Sequence, residues 1–273
     1  MQYLKYWLLG MLLTSIISVA EAHINPNFDK EAPARKDDKV TFRENCANSV
    51  SQLDQAVNNV RARLLTGGDV WWDGSDGRYV VPKVPPGQPE VSSIFAGAVW
   101  LGGVDPAGNL KLAAKTYGRS RNRSDFFTGP LNPETGKTNQ AECARWDRFF
   151  VVSGQNIRQH IRNFQQAKVE GIPYDPDLIP NDVKGWPSRG NPYFFEVYQF
   201  DLPNTPQALA GFWDEDGDGL YDPTQGDFPI VEIRGCFFST PEEQPIPDEM
   251  IFWIYNDAGN IHSESQGDPI QME

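Results

Sequence analysis

Residues 93–117 read SIFAGAVWLGGVDPAGNLKLAAKTY, which is the pattern of a β-hairpin. The apolar run 93–101 predicts a strand, and a Gly-Gly pair ends it. Residues 105–109 combine Asp, Pro, Gly and Asn, which favour a turn. Apolar and polar residues then alternate over 110–116, as they do in a strand with one buried face. The segment therefore predicts two antiparallel strands.

Several other segments have the same character. Residues 69–82 predict a second hairpin around the DGSDG turn at 73–77. Residues 52–62 are consistent either with a short helix or with the lead-in to a strand. Further strands are predicted at 193–200, 231–238 and 250–255. We therefore expect a mainly β fold, with antiparallel hairpins in one or two packed, sandwich-like sheets and with long Pro- and Gly-rich loops.

A single amphipathic helix is predicted at 155–168. Ser153 is a suitable N-cap residue just before it. Ile157, Ile161 and Phe164 follow the spacing of one apolar helix face. This face would pack against the β core.

The first 22 residues have the organisation of a secretory signal peptide. Lys5 precedes the apolar run 7–19, and the small-residue site AEA at 20–22 places cleavage after Ala22. The run is too short for a comfortable membrane span, and no later stretch approaches one. We expect the general export machinery to recognise this segment and to deliver the chain through the periplasm to a secreted or cell-surface location.

The rest of the chain predicts a leader and one folded region. Residues 23–39 are polar and contain Pro, which predicts a flexible leader, and residues 40–273 predict a single β-rich region. The chain has 24 Lys and Arg against 37 Asp and Glu, a net charge of -13. Such an acidic surface excludes affinity for nucleic acid. We expect no transmembrane segment in the mature chain.

Residues 214–227, DEDGDGLYDPTQGD, resemble the first half of a calcium loop. Alternate carboxylates in a tight turn can point inward at Ca²⁺, which takes six to eight oxygen ligands. Gly219 stands at the sixth place, where the backbone must turn sharply. The twelfth place, usually a bidentate Glu, is Gln225 here, and Asp227 is the nearest replacement. The candidate ligands are the carboxylates of Asp214, Asp216, Asp218, Asp222 and Asp227 and the main-chain carbonyl of Leu220.

The alternative interpretation of this loop is an Asp/Gly turn whose side chains cap their own backbone. A cluster of five acidic residues lies in it, namely Asp214, Glu215, Asp216, Asp218 and Asp222, and no Lys or Arg occurs between Trp213 and Ile233. Because so much negative charge in one turn repels itself, the pattern favours a bound cation. Pro223 and the β surroundings indicate a structural site and not a helix-loop-helix sensor.

Three cysteines, Cys46, Cys143 and Cys236, leave the disulfide pattern open. Export makes a disulfide plausible, and an odd number leaves one cysteine unpaired or paired outside the chain. All three pairings remain open, as does a set of three buried thiols. The pair Cys143–Cys236 is preferred because both residues flank predicted strands.

No catalytic constellation is evident. The three histidines, His23, His160 and His262, do not have the spacing of a zinc site and predict surface or structural roles. A glycan-active protein, either a carbohydrate-binding module or a glycoside hydrolase, is the alternative, because aromatic rings stack on sugars. The tryptophans that could form such a platform are Trp71, Trp72, Trp100, Trp186, Trp213 and Trp253. Trp71 and Trp72 are adjacent, so one is expected in the core and the other exposed.

Several short motifs occur together in this chain. They are NNVRA at 58–62, GGDVWWD at 67–73, SIFAGAVWLGG at 93–103, DFFTGPL at 125–131, WDRFF at 146–150, the Asp-rich loop and FWIYND at 252–257. As a set they resemble the N-terminal region of large secreted proteins of Bacteroidetes. The resemblance implies a C-terminal sorting domain read by the type IX secretion system, and frequent surface attachment. It implies location, and it carries over no catalytic residues.

The resemblance covers the chain from about Cys46 to its last residue. The family pattern continues beyond the point where this chain stops, just after a hairpin has begun. We therefore expect this chain to be the N-terminal piece of a longer protein. The function predicted from the sequence is a non-catalytic, calcium-stabilised structural or adhesion module, with glycans or other cell-surface components as potential partners.

Overall fold

The structure, a computed structural model, describes residues 46–104, 110–114, 126–205, 207, 209–231, 238–258 and 271–272. All of them belong to one unit of the chain, Val40–Glu273. The predicted signal peptide, the predicted leader, Cys236, His23 and His262 lie outside the described residues. Every pair of strands in the described part is antiparallel. The predicted mainly β, antiparallel fold is therefore confirmed and is consistent with a sandwich-like arrangement.

The largest sheet has six strands from the first part of the described chain. They are β1 (Gln52–Gln55), β2 (Arg61–Leu65), β3 (Asp69–Val70), β4 (Tyr79–Val80), β5 (Ser92–Ile94) and β6 (Gly97–Ala98). β2 is central, because β1 lies along one edge while β4 and β3 share the other. β5 pairs with β4, and β6 pairs with β3. The segment 52–62 is therefore a strand at its start and not a helix.

The predicted hairpin at 93–117 is present in its later part. β7 (Trp100–Val104) pairs with β8 (Leu110–Ala114), and the turn at 105–109 lies outside the described residues. Residues 92–98 instead join the six-stranded sheet. Glycine at position 97 permits the pairing of β6 with β3. Any larger residue would clash there, because its Cβ atom would lie 2.7 Å from the Trp71 ring.

The turn predicted within 69–82 is also present. The Asp73 amide donates a hydrogen bond to the Asp76 carbonyl at 3.2 Å, and Trp72 forms an isolated bridge with Gly77. Beyond this bridge, β3 and β4 both pair with β2. β3 and β4 were expected to pair as a hairpin. Each of them instead pairs with β2, which the local pattern did not reveal.

The second part of the described chain contributes shorter strands. They are β9 (Phe127–Thr128), β10 (Phe150–Ser153), β11 (Phe212–Trp213), β12 (Phe228–Pro229), β13 (Glu249–Phe252), β14 (Tyr255–Asn256) and β15 (Gln271–Met272). β10 pairs with β13, β11 with β12, and β14 lies between β9 and β15. The strand predicted at 250–255 is thus split in two. Most of the strand predicted at 231–238 lies outside the described residues.

The predicted helix is confirmed as α2 (Gly154–Glu170), which follows the shorter α1 (Gln140–Trp146). The Ser153 hydroxyl accepts a hydrogen bond from the Asn156 amide at 3.1 Å and caps the N-terminus of α2. Ile157 is fully buried. Ile161 and Phe164 pack against the large cluster of buried side chains that contains Trp146 and Phe150, which we call the main core. The predicted apolar face is therefore the one that α2 buries.

Two further short helices are α3 (Asn181–Lys184) and α4 (Phe194–Tyr198). The strand predicted at 193–200 is wrong, because α4 occupies this segment. Its aromatic content favours a strand locally, but the helical turn brings Phe194 and Tyr198 together against Phe150, at ring-centroid distances of 5.8 Å and 5.1 Å. Tertiary packing thus overrides local propensity here.

The disulfide joins Cys46 to Cys143, with 5.8 Å between their Cα atoms. The preference for Cys143–Cys236 is therefore wrong. The preference assumed that Cys143 flanks a strand along the chain, whereas Cys143 lies within the helix α1. The bond ties the start of the described chain to α1.

The main core lies beneath α2. It gathers large side chains from the second part of the chain, among them Trp146, Phe150, Phe194, Tyr221 and Phe228. Within the described residues, no helix has both the length and the apolar character needed to cross a membrane.

Candidate metal centre

The Asp-rich segment is a loop closed at its base by two paired strands. Phe212 lies opposite Pro229, and Trp213 lies opposite Phe228, so β11 and β12 hold residues 214 and 227 close together. The Trp213 and Phe228 rings stack with their centroids 6.0 Å apart. The loop therefore projects from a packed base.

The structure brings three of the predicted ligands together. Asp214, Asp216 and Asp218 each place a carboxylate oxygen within 4.8 Å of the other two. Asp214 is partly buried, whereas Asp216 and Asp218 are exposed. The three carboxylates thus face one point at the solvent edge of the loop, as oxygen ligands of a hard cation would.

Hydrogen bonds to the backbone curl the loop. The Asp214 carboxylate accepts from the amides of Gly217 at 2.7 Å and Gly219 at 2.8 Å. The Asp218 carboxylate accepts from the Leu220 amide at 2.7 Å. Both glycines have φ of 76°, in the left-handed region that glycine adopts readily. An Asp/Gly turn without a cation would make the same hydrogen bonds, so they do not distinguish the two interpretations.

Asp222 and Asp227 have different contacts from the other three acids. The Asp222 carboxylate accepts from the Thr224 amide at 2.9 Å and from its hydroxyl at 2.6 Å, which caps a short 3-10 turn. Asp227 is fully buried, and its two oxygens accept from the Glu215 amide at 2.8 Å and the Asp222 amide at 2.7 Å. Asp227 thus holds the two ends of the loop together.

Leu220 was predicted to offer its main-chain carbonyl. Its side chain rests on Gly190, where an added Cβ atom would lie 2.8 Å from the Leu220 side chain. This contact holds Leu220, the seventh residue of the loop, against the chain segment that contains Gly190. The ligand roles of Leu220, Asp222 and Asp227 stay predictions.

Two basic residues reach the loop from elsewhere in the chain, and the sequence did not identify them. Lys168 on α2 forms an ion pair with Glu215 at 2.9 Å. The Arg189 guanidinium donates to the Gly219 carbonyl at 2.6 Å. Both offset part of the negative charge. The local absence of Lys and Arg therefore overstates the repulsion within the folded loop.

Burial governs the protonation of Asp227. Removal from solvent raises its pKa to about 7, and the charges of Asp214 and Asp216 act in the same direction. The two backbone amides that bond the carboxylate oppose this rise without cancelling it. A cation beside the loop would lower the pKa again, because it favours the ionised carboxylate.

His160 connects the loop to α2. It is fully buried, and its Nε2 donates to the Asp227 carbonyl at 2.9 Å. Its Nδ1 therefore accepts from the Tyr174 hydroxyl, 3.2 Å away. Burial lowers the pKa of His160 to about 4, so the ring is neutral near pH 7. His160 is thus a structural residue, as predicted, although its contact with the loop could not be read from the sequence.

A separate groove of about 850 Å³ lies between the six-stranded sheet and the main core. Trp71, Trp186 and Trp253 are among its lining residues, and none of the described residues that line it is acidic. Trp71 and Trp72 are both partly buried. The expected division into one core and one exposed ring is therefore wrong, because Trp71 has φ of 66° and leaves the regular strand alternation.

The tryptophans differ widely in exposure. Trp186 is buried, and its indole N–H donates to the Gly211 carbonyl at 3.0 Å. Trp100 is 70% exposed. Trp213 donates to Glu215 at 3.0 Å and so belongs to the Asp-rich loop. The six tryptophans therefore do not form one continuous platform.

Comparisons with protein-family models, with curated proteins and with solved structures find no match to this chain.

Proposed function

We propose that this chain is a non-catalytic, calcium-stabilised structural or adhesion module of a secreted or cell-surface protein. The observation that carries the proposal is the convergence of the Asp214, Asp216 and Asp218 carboxylates within 4.8 Å. Three like charges at this separation repel one another in the absence of a counter-ion. A hard divalent cation would remove this repulsion and take these oxygens as ligands.

The surroundings of the loop support a structural role. Its base packs into the main core, Asp227 holds both ends, and His160 ties it to α2. A cation at the tip would therefore stabilise the loop against the core. The signal-peptide pattern and the resemblance to secreted Bacteroidetes proteins support an exported location, where calcium is abundant.

The expected stabilisation is modest. At about 1 mM Ca²⁺ and a Kd of about 0.1 mM, binding adds about 1.4 kcal/mol to the free energy of unfolding. Thermal melts in 1 mM CaCl₂ and in EDTA test the proposal. We expect a lower melting temperature in EDTA. An identical melt in both buffers, with no calcium in the isolated protein, would exclude a structural calcium ion.

Carbohydrate binding is the second candidate function, and the Trp-lined groove is the observation that favours it. A hydrolase would also need two facing carboxylates, and the described lining residues provide none. Of the glycan-active alternatives, a binding module therefore fits the groove better. A glycan array with the wild-type chain and with Trp71→Ala tests this candidate. Binding that the substitution abolishes would support it, and an array without signal would reject it.

A further inference from the structure

Arg189 holds the Asp-rich loop on both sides of Leu220. Its guanidinium donates two hydrogen bonds to the Gly219 carbonyl, from Nε at 3.2 Å and from Nη2 at 2.6 Å. Its own main-chain carbonyl accepts a hydrogen bond from the Tyr221 amide at 2.8 Å. One residue of another segment thus fixes the peptide groups that precede and follow Leu220.

The peptide group before Leu220 lies between Arg189 and an acidic side chain. Its carbonyl, on Gly219, points to the Arg189 guanidinium, whereas its N–H, on Leu220, donates to the Asp218 carboxylate at 2.7 Å. The N–H and C=O of a trans peptide group point in opposite directions. Arg189 and the Asp218 carboxylate therefore lie on opposite sides of this stretch, and the Gly219 carbonyl is turned away from the carboxylates.

The peptide group after Leu220 is oriented by the same rule. Its N–H, on Tyr221, points to the Arg189 carbonyl, so its C=O, on Leu220, points away from Arg189. The Asp218 carboxylate lies on that side of the stretch. The Leu220 carbonyl is therefore directed to the side of the loop where the three carboxylates converge.

The residues on either side of this grip are anchored in the protein. Tyr221 is fully buried, and its hydroxyl donates to the Val183 carbonyl at 2.7 Å. The Leu220 side chain rests on Gly190, the residue that follows Arg189. A ligand oxygen that the protein already holds in place need not be ordered when a cation binds, which favours affinity.

We propose that Arg189 is a positioning residue of the candidate metal centre, which turns the Leu220 carbonyl toward the carboxylates as an additional oxygen ligand. The proposal rests on the calcium-stabilised loop proposed above and adds the residue that arranges its main chain. Ca²⁺ accepts main-chain carbonyl oxygens together with carboxylates. The positive charge of Arg189 by itself repels a nearby cation, so Arg189 favours binding only through the orientation of the backbone.

Substitutions of Arg189 separate orientation from charge. Arg189→Lys keeps the positive charge but loses the planar fork of N–H donors, and Arg189→Met loses both. We expect each variant to weaken calcium binding about tenfold in isothermal titration calorimetry, as the loss of a residue that orients a metal ligand does. If Arg189 acted through its charge alone, Arg189→Lys would leave the dissociation constant unchanged and Arg189→Met would lower it, which would overturn the proposal.

Lys168→Met is the matched control for charge. Lys168 also brings a positive charge to the loop, but its ion pair is with the Glu215 side chain and not with the main chain beside Leu220. This substitution should not weaken calcium binding. Melts of every variant in EDTA identify a loss of folding, and Arg189→Lys decides the question if Arg189→Met does not fold.

A single NMR signal reports on the Leu220 carbonyl itself. Of the nine tyrosines, Tyr221 alone follows a leucine in the sequence. Labelling with ¹³C-carbonyl leucine and ¹⁵N-tyrosine therefore gives one correlated signal, from the Leu220–Tyr221 peptide group. We expect its carbonyl shift to change on addition of CaCl₂ and to saturate with the dissociation constant that calorimetry gives. In Arg189→Met the midpoint of this titration should move to about tenfold higher calcium.

The outcomes distinguish this proposal from the one on which it rests. Calcium binding by the wild-type chain that both Arg189 variants leave unchanged overturns the role of Arg189 and leaves the calcium-stabilised loop intact. A Leu220 carbonyl signal that does not respond to saturating calcium also overturns it, because Leu220 is then not a ligand. Absence of calcium binding by the wild-type chain contradicts the calcium-stabilised loop itself, and this proposal with it.

Discussion

The buried carboxylate of Asp227 accepts a hydrogen bond from the Asp222 backbone amide at 2.7 Å, across the end of the Asp-rich loop. Its other oxygen accepts from the Glu215 amide at 2.8 Å, near the beginning. One side chain thus closes a loop whose three outer carboxylates converge at the tip. The loop is held from the core side by the protein and, in our proposal, from the solvent side by calcium.

The first prediction concerns Asp227 and pH in EDTA. Its folded-state pKa of about 7 lies above the unfolded value of about 3.9. The contribution of the Asp227 carboxyl to the free energy of unfolding is therefore fully present at low pH and is lost as the pH rises from about 4 to about 7. The difference in unfolding free energy between wild type and Asp227→Asn should fall by about 4 kcal/mol at most over this range. Chemical denaturation at several pH values measures it.

Calcium should suppress this pH dependence, because a cation near the carboxylates favours the ionised form of Asp227. Repeating the denaturation series in CaCl₂ provides the control. A difference between the two proteins that is independent of pH in both buffers would show that burial does not set the protonation of Asp227.

The second prediction concerns His160, whose pKa of about 4 lies below its unfolded value of about 6.5. Its contribution to stability is present above pH 6.5 and is lost as pH falls toward 4. The difference in unfolding free energy between wild type and His160→Gln should shrink by about 3 kcal/mol at most in this window. NMR titration of the ring is the independent check, and a midpoint near 6.5 would contradict the buried, neutral state.

The third prediction uses two glycines of the same loop as a matched pair. Gly226 has φ of 104°, and a Cβ atom there would lie 2.4 Å from the Phe164 ring on α2. Gly217 has φ of 76° but no atom within 4 Å of that position. Gly217→Ala should cost about 1–2 kcal/mol, from backbone conformation alone. Gly226→Ala should cost at least about 1 kcal/mol more, because it also overpacks the core. Equal losses in denaturant melts would show that the loop does not pack tightly on α2.

The fourth prediction concerns the Cys46–Cys143 disulfide. Replacing both residues with Ser should lower the free energy of unfolding by about 2–4 kcal/mol, because the bond closes a long loop in the unfolded chain. Cys236→Ser should leave that loss unchanged. Peptide mapping under non-reducing conditions checks the pairing directly, and a Cys143–Cys236 peptide would contradict it.

The sequence predicted those features that depend on short-range chemistry. α2 was located by its apolar spacing and its Ser153 cap, and the 73–77 turn by its Asp and Gly residues. The three converging carboxylates were found from their alternation around the glycines. In each case, the residues that make the contacts lie within a few positions of one another.

Features that depend on distant contacts were missed. α4 was predicted as a strand because its aromatic content favours a strand locally. Its packing against Phe150 favours the helix, and no local pattern indicates that packing. Lys168, Arg189 and His160 reach the loop from other elements, and no local signal indicates this. The disulfide was mispaired because nothing local to the three cysteines indicates which two of them meet in the fold; Cys46 and Cys143 lie 97 residues apart in the sequence.

The central claim is that the Asp-rich loop binds calcium through Asp214, Asp216 and Asp218. Isothermal titration calorimetry of the purified chain with CaCl₂ tests it most directly. We predict one ion per chain with a Kd of about 0.1 mM. Asp216→Asn, which keeps the side-chain shape but removes a charge, should weaken binding about tenfold, whereas Asp201→Asn, at an exposed acid outside the loop, should not. Absence of binding up to about 5 mM, or equal effects of the two substitutions, would contradict the claim.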